Sequence, residues 1–514
     1  MTDTGTPRQA PRQDTPRGTR KAAFMRSDTP SRSSPAHAAE ARPAHTATGW
    51  AALFSGGNAA RSITLSAGVV LHAINLYMAM TVLPSAVRDI GGMRYYTWNT
   101  SLFVAASIVG SSLSARALGR FGPRAAYGIA VAIFATGAVL CATAPAMPPM
   151  LAGRVLQGIG SGLLVSMAYA VIRLVFPPAL WPRAMSMLSS MWGVATLIGP
   201  AIGGLFAGLG VWRAAFWTLA ALSIPFAMLA TCVLPRTTGA EAGSFPGIAW
   251  RQIALMVGSV LCLAVAGASP HGWENLAGCL IVLGLFACLA HLERQGGTRL
   301  LPARALVWGS SLAPLYALMG CLALTVEVIE IFAPLFLQDL HRQPPLTAGY
   351  LSVLMAAGWS TGSILNAGAP PARVARALVA APALGLAGIL FLAFYLSVPT
   401  DGAWQAMAPV CVTFLMVGLG VGTAWPHLLT RVLLTAQPAD RDLASASLTT
   451  VQLYTTALAG AWAGMIANIA GLADPGGMVG AERAAFWVFA LFAIMPAMGI
   501  LTGCSFLKKR TKKL

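Results

Sequence analysis

Charge is what this chain has least of. Asp, Glu, Lys and Arg make up 10% of its 514 residues, against about 25% in a water-soluble domain, so no soluble fold of this size fits. Acids are the scarcer sign: 16 Asp and Glu face 34 Lys and Arg, for a formal charge of +18. The basic residues collect neither on an amphipathic surface nor among exposed aromatics, so no nucleic-acid partner is expected. Cysteine-based chemistry is missing as well. Cys141, Cys232, Cys262, Cys279, Cys288, Cys321, Cys411 and Cys504 lie in or beside apolar runs, with no CxxC and no Cys/His cluster, which points to packing rather than disulfides or metal. The apolar segments hold no phosphate loop and no HExxH pattern, so neither an enzyme nor a cofactor is expected. What is present is 56% hydrophobic residues and a mean hydropathy of +0.69, the composition of a polytopic protein in a lipid bilayer.

Segments long enough to cross about 30 Å of hydrocarbon fall near 62–84, 97–118, 125–146, 149–175, 184–209, 213–234, 253–270, 275–292, 310–337, 347–368, 373–396, 405–434, 443–472 and 484–506. That makes fourteen, and dividing 310–368 differently changes the count by one. Loop charges test the count independently. Alternate loops carry Arg116, Arg120 and Arg124; Arg173 and Arg183; Arg236 and Arg251; Arg294, Arg299 and Arg304; Arg373 and Arg376; Arg431 and Arg441, with five more basic residues from Lys508 to Lys513. The opposite loops hold few positives and several acids, among them Asp89, Glu274, Asp339, Asp401 and Asp474. The positive-inside rule then places both termini in the cytoplasm.

Residues 1–61, with nine basic and four acidic side chains, are expected to be a disordered cytoplasmic tail rather than a cleaved signal. Met25 is a second candidate start, which leaves the translation of residues 1–24 open. RAAFWTLAAL from Arg213 and RAAFWVFALF from Arg483 suggest a repeat: a six-helix bundle over 62–235, two extra spans and linkers over 236–309, a second six-helix bundle over 310–506, and a basic tail over 507–514.

Four polar or glycine-rich features stand out. MWGVATLIGPAIGG, Met191–Gly204, has Gly193, Gly199, Pro200, Gly203 and Gly204 in an apolar run; glycines four apart bare the backbone to a neighbouring helix, and the proline removes one hydrogen bond. Arg154, in LAGRVLQGIGSG, is costly at membrane depth, about 2.5–3.5 kcal/mol on insertion scales, so it should face the bundle interior together with Gln157. The bland alternative is an arginine that snorkels to an interface. Glu327 and Glu330 are the only carboxylates deep in a span, and their i, i+3 spacing puts them on one helical face. Desolvation and mutual repulsion both oppose their ionisation, so one can take up and release a proton or accept a cation; the alternative is a structural pair neutralised by Arg154 or by backbone groups. Embedded His72 and His427 are expected to be packed rather than functional.

These motifs resemble those of the fourteen-span drug:proton antiporters of the major facilitator superfamily. GPAIGG is similar to the antiporter motif of the fifth span, although Ala195 stands where the stricter form has a further glycine. RxxQG at Arg154 resembles a fourth-span motif whose arginine is linked to proton coupling. ARALGRFGPR resembles the loop after the second span: Arg120, Gly122 and Arg124 match, while Ala115 and Gly119 replace its glycine and aspartate, which implies a weaker cytoplasmic latch. The first span is similar to the family's opening pattern, whose membrane aspartate lies nine residues before the proline; from Pro84 that position is Asn75, an amide that cannot titrate but can still bond substrate. Diffuse similarity, as in IFAPLFLQDLHRQPPLTAGYL and LERQGGTRLLPARAL, covers 62–506.

The resemblance implies an all-α major facilitator fold of two six-helix bundles plus two inserted helices. It also implies a multi-pass inner-membrane exporter of drugs or other amphipathic small molecules, driven by the proton gradient. A monomer is expected, and a periplasmic adaptor, known for some members, leaves no readable motif. Two rival functions remain: a transporter of one metabolite without proton coupling, given Asn75 and Gly119, and a receptor-like membrane protein that does not transport.

Overall fold

The structure is a computed structural model in which residues 50–236, 247–295, 297–307, 309–366 and 369–511 are described. Most of the expected amino-terminal tail, residues 1–49, and the linker 237–246 lie outside the described residues. Residues 50–61 depart from the expected tail. Trp50–Leu53 forms a short 3-10 helix, the Ser62 hydroxyl donates to the Leu53 carbonyl at 2.8 Å, and the first long helix already begins at Gly57.

Helices α1 (Gly57–Ile90), α2 (Trp98–Thr143), α3 (Met147–Val175), α4 (Trp181–Gly208) and α5 (Arg213–Val233) come first. Then follow α6 (Trp250–Gly267) and α7 (Gly272–Gln295). The remainder is α8 (Ala313–Asp339), α9 (Pro345–Leu365), α10 (Pro371–Tyr395), α11 (Trp404–Thr435), α12 (Arg441–Ile469), α13 (Gly477–Phe492) and α14 (Ile494–Thr511). Helix α2 is two helices joined at a corner: Gly122 has φ 73° and ψ 165°, a left-handed backbone that favours glycine, and Pro123 brings no amide hydrogen to continue the ladder. Among the described residues eleven helices are long and apolar enough to cross a membrane, with α2 counted once and α13 and α14 taken together. Helices α9 and α12 are not among them. Their Ser and Thr content lowers their hydropathy, and both pack against the opposite half, α9 on α4 and α12 on α2, where polar side chains need not meet lipid.

The repeat is visible at the level of backbone packing. Helix α3 lies between the two arms of α2. A Cβ added at Gly158 or Gly162 would stand 2.3 and 2.2 Å from the carbonyl oxygens of Phe103 and Ser107, and one at Gly160 would stand 2.7 Å from that of Ala130. Helix α11 lies in the same way between α9 and α10: a Cβ at Gly418 or Gly422 would meet the carbonyls of Met355 and Trp359 at 1.9 and 2.0 Å, and one at Gly420 that of Ala381 at 3.2 Å. Both three-helix sets therefore close on a GxGxG stripe. The RAAFW echo is less exact. Arg213 opens α5, whereas α13 begins at Gly477, so Arg483 lies inside its helix.

Helix α7 rests mainly on α6, and α6 on α12 and α2, with Ser259 and Tyr454 sharing a buried hydroxyl hydrogen bond of 2.8 Å. Between the halves, hydrogen bonds gather at the end of the molecule where α1 finishes and α2 starts. Arg88 pairs with Asp339, Gln338 donates to the Thr81 carbonyl at 3.4 Å, Tyr96 to that of Ile331 at 3.3 Å, and Asn468 to that of Arg94 at 2.9 Å. Beside them Arg213 and Trp212 hold Asp89.

Candidate functional site

The polar residues of the interior form two separate groups. In the first half Arg154, from α3, is fully buried. Its Nη1 donates to Asn75 Oδ1 at 2.9 Å and to Gln157 Oε1 at 2.8 Å. Its Nε donates to the backbone carbonyl of Asn99 at 3.1 Å, and its guanidinium lies 4.2 Å from the centre of the Phe103 ring, a cation–π contact. His72 stacks on the other neighbourhood of the same ring at 5.5 Å. The interior placement expected from the cost of a lone charge is what is observed, and it unites Asn75, Arg154 and Gln157. No ion pair joins Arg154 to Glu327 or Glu330 among the described residues, so Arg154 neutralises neither glutamate.

In the second half Glu327 and Glu330 stand near the middle of α8, each partly open to the interior. Thr456 of α12 donates to Glu327 Oε1 at 2.7 Å, while Oε2 has no partner. Glu330 lines a small cavity with Tyr77 and Thr81 of α1, Thr196 and Pro200 of α4, and Gly349 and Ser352 of α9. Measured to the centre of a water-sized sphere its volume is about 20 Å³, enough for one water and far short of a drug-sized ligand. The halves are thus closed over this point.

The GPAIGG seam reaches that cavity through Pro200. A Cβ at Gly199 would lie 2.7 Å from Tyr77 Cβ, and at Gly203 2.7 Å from the Met78 carbonyl, both on α1; at Gly204 it would lie 2.4 Å from Leu346 Cα of α9. Gly349 of α9 returns the contact at 2.9 Å from Pro200 Cβ. Gly193 packs against nothing within 4 Å and is outside the seam. The loop motif resolves differently. Gly122 makes the corner of α2, the Arg124 amide and its Nε donate to the carbonyls of Pro235 and Leu234 at 3.2 and 3.3 Å beyond the end of α5, and Arg120 lies over the Phe121 ring. None of the three reaches the interior groups.

Tyr77, Asn99, Phe103, Thr456 and Ser352 were not singled out by the sequence. Asn99 carried a signal, an amide one residue into an apolar helix; a Thr or Tyr in a membrane helix carries none. His427 donates from Nε2 to the Asn366 carbonyl, 3.0 Å away, a packed histidine as expected.

Two helical halves that share a packing scheme, meet across buried polar residues and close over a cavity lined by both define a secondary transporter. The chain belongs to the Major Facilitator Superfamily, whose profile matches residues 65–460, a family of transporters and not of enzymes. It is 35% identical over 447 residues to a "Probable multidrug-efflux transporter" of Mycobacterium tuberculosis, covering 86% of this chain and 93% of the relative. It is 21% identical to "Multidrug resistance protein 3" of Bacillus subtilis over 58% of this chain and 59% of that one. Solved structures share the fold: a D-xylose-proton symporter (TM-score 0.58, 14% identity, 88% of this chain and 97% of the other) and a POT family transporter bound to a peptide conjugate (0.62, 13%, 87% and 96%).

Proposed function

We propose that this multi-pass membrane protein exports amphipathic small molecules in exchange for protons, by rocking α1–α5 against α8–α14. The observation that carries this reading is that Glu330 shares one cavity with Pro200 of the Gly199–Gly204 seam, so the titratable group of one half faces a helix of the other. The names of the relatives support efflux of several compounds rather than one. Glu327 and Glu330 take and release the coupling proton, Arg154, Gln157 and Asn75 form a polar anchor of the first half, and Gly199, Pro200, Gly203 and Gly204 let α4 slide on α1 and α9. Arg120, Gly122 and Arg124 fix the corner of α2 against the end of α5 on the cytoplasmic side.

Fourteen crossings follow if α2 is taken as two spans, α9 and α12 are added to the apolar set, and α13 with α14 is one span. The arrangement is then two six-span bundles with α6 and α7 between them, in the cytoplasmic membrane, with both termini inside, acting as a monomer. Susceptibility profiling and dye efflux in an efflux-deficient host test the function: expression should lower drug accumulation, and Glu327→Gln should not. Equal export by that variant would sink the assigned role. The amide at Asn75 favours a second reading, metabolite transport without proton coupling; flux into proteoliposomes that is indifferent to a pH gradient would select it.

A further inference from the structure

Arg154 has a feature that the efflux reading does not use. It is a fully buried cation whose side-chain partners are the amide oxygens of Asn75 and Gln157, and no described carboxylate lies within the 4.0 Å of an ion pair. Amide oxygens offer dipoles but no counter-charge. Around it, three donors have no acceptor, Arg154 Nη2, Asn75 Nδ2 and Gln157 Nε2, and Asn99, whose backbone carbonyl Arg154 reaches, has both side-chain amide atoms without a partner. All four residues are fully buried. Because the two amide oxygens are turned toward the guanidinium, their NH₂ groups are necessarily turned elsewhere, and this orientation is set by the cation rather than by choice of flip. A buried donor left unsatisfied is costly, because it has given up water without gaining an acceptor. Water would satisfy the donors yet leave the charge uncompensated.

We infer that the Asn75–Asn99–Arg154–Gln157 cluster binds a monovalent anionic group, either a free halide-sized ion or the carboxylate of a carried molecule. Such a group accepts from several N–H donors at once and supplies the missing negative charge. The site lies in the first half, apart from Glu327 and Glu330, and stands whether or not export is coupled to protons. It also gives the amide at position 75 a purpose: a carboxylate there would pair with Arg154 and occupy the site from within.

Thermal unfolding of the purified full-length protein in detergent tests the inference, with chloride or benzoate replacing bulky gluconate at constant ionic strength and pH. The expected result is a saturable rise in Tm. A rise with chloride assigns the site to a free ion; a rise with benzoate alone assigns it to a carboxylate on the substrate. Asn75→Asp, isosteric and 2.9 Å from Nη1, should be more stable without added anion and should need about tenfold or more anion for the same shift. Gln157→Glu brings the same charge from the other amide if the first variant does not fold. No saturable shift with either anion, or an unchanged midpoint in the acidic variants, would overturn the inference.

Discussion

The two halves use one packing scheme and put opposite chemistry into it. Gly158, Gly160 and Gly162 seat α3 between the arms of α2, as Gly418, Gly420 and Gly422 seat α11 between α9 and α10. Aligned on these glycines, Arg154 corresponds to Phe414 and Gln157 to Val417, both of the latter fully buried and apolar. The central helices invert the pattern. Counted back from the internal prolines Pro84 and Pro334, the acids Glu327 and Glu330 correspond to Tyr77 and Met80. Close backbone packing is therefore a scaffold indifferent to charge, and the division of labour rests on a few side chains: a cation without an acid on one side, acids without a cation on the other.

The sharpest way to break this comparison is to remove the acids. Glu330→Gln and Glu327→Gln should each reduce gradient-driven dye efflux to the level of membranes lacking the protein, whereas substitutions on the first-half cation should leave a measurable gradient response if the halves are truly specialised. Next in size, Gly418→Ala and Gly158→Ala should both destabilise, by about 1–3 kcal/mol or more from overpacking against carbonyls. Parallel losses of Tm in the two variants would sharpen the scaffold equivalence, and a loss in only one would break it. Arg154→Met removes the buried charge but leaves Asn75 Oδ1 without a donor, at about 1–3 kcal/mol, while Gln157 Oε1 keeps the Cys141 thiol at 3.6 Å; denaturation in detergent should register this while Phe414→Ala, the counterpart position, should act through a cavity instead. The smallest effect concerns the Arg88–Asp339 pair, whose side chains are 51% and 23% exposed. A double-mutant cycle should give about 0.2–1 kcal/mol, together with a change in thiol accessibility at that end.

A pH effect at the same end has a definite sign. His341 follows α8, donates from Nε2 to the Leu396 carbonyl at 3.1 Å and accepts at Nδ1 from Thr400 at 2.8 Å. Burial lowers its pKa from 6.5, and the bond to Leu396 only partly opposes this. The unfolded chain thus binds more protons than the folded one below pH 6.5, so this contribution is complete above that pH and declines as the medium is acidified. His341→Gln should flatten that part of the stability profile.

Much of the fold was legible because apolar length is a local property. The expected segments fall on helices from α1 to α14, and the Gly122–Pro123 corner is written in two residues. The early starts at Gly57 and Gly477 were not legible, since Arg61, Glu482 and Arg483 look like loop charges until the helix they belong to is known. At the site, the burial of Arg154 and the shared face of Glu327 and Glu330 followed from the cost of charge in lipid. That Arg154 leans on the backbone of Asn99, that Thr456 bonds Glu327, and that Pro200 and Glu330 line one cavity depend on the approach of distant segments, which no periodicity encodes.

The bonds that tie the halves together at one end set an energy scale for opening. Gln338 to Thr81, Tyr96 to Ile331 and Asn468 to Arg94 are each worth about 0.5–1.5 kcal/mol net, and the exposed Arg88–Asp339 pair about 0.2–1 kcal/mol, so this clasp is held by a few kcal/mol. Inverting a two-state population from 1:99 to 99:1 takes about 5.5 kcal/mol, and one pH unit acting on one titrating carboxylate is worth about 1.4. A clasp of this strength is firm enough to keep a resting molecule closed at that end, and weak enough that, in the proposed exchange, a bound solute and a single proton together release it.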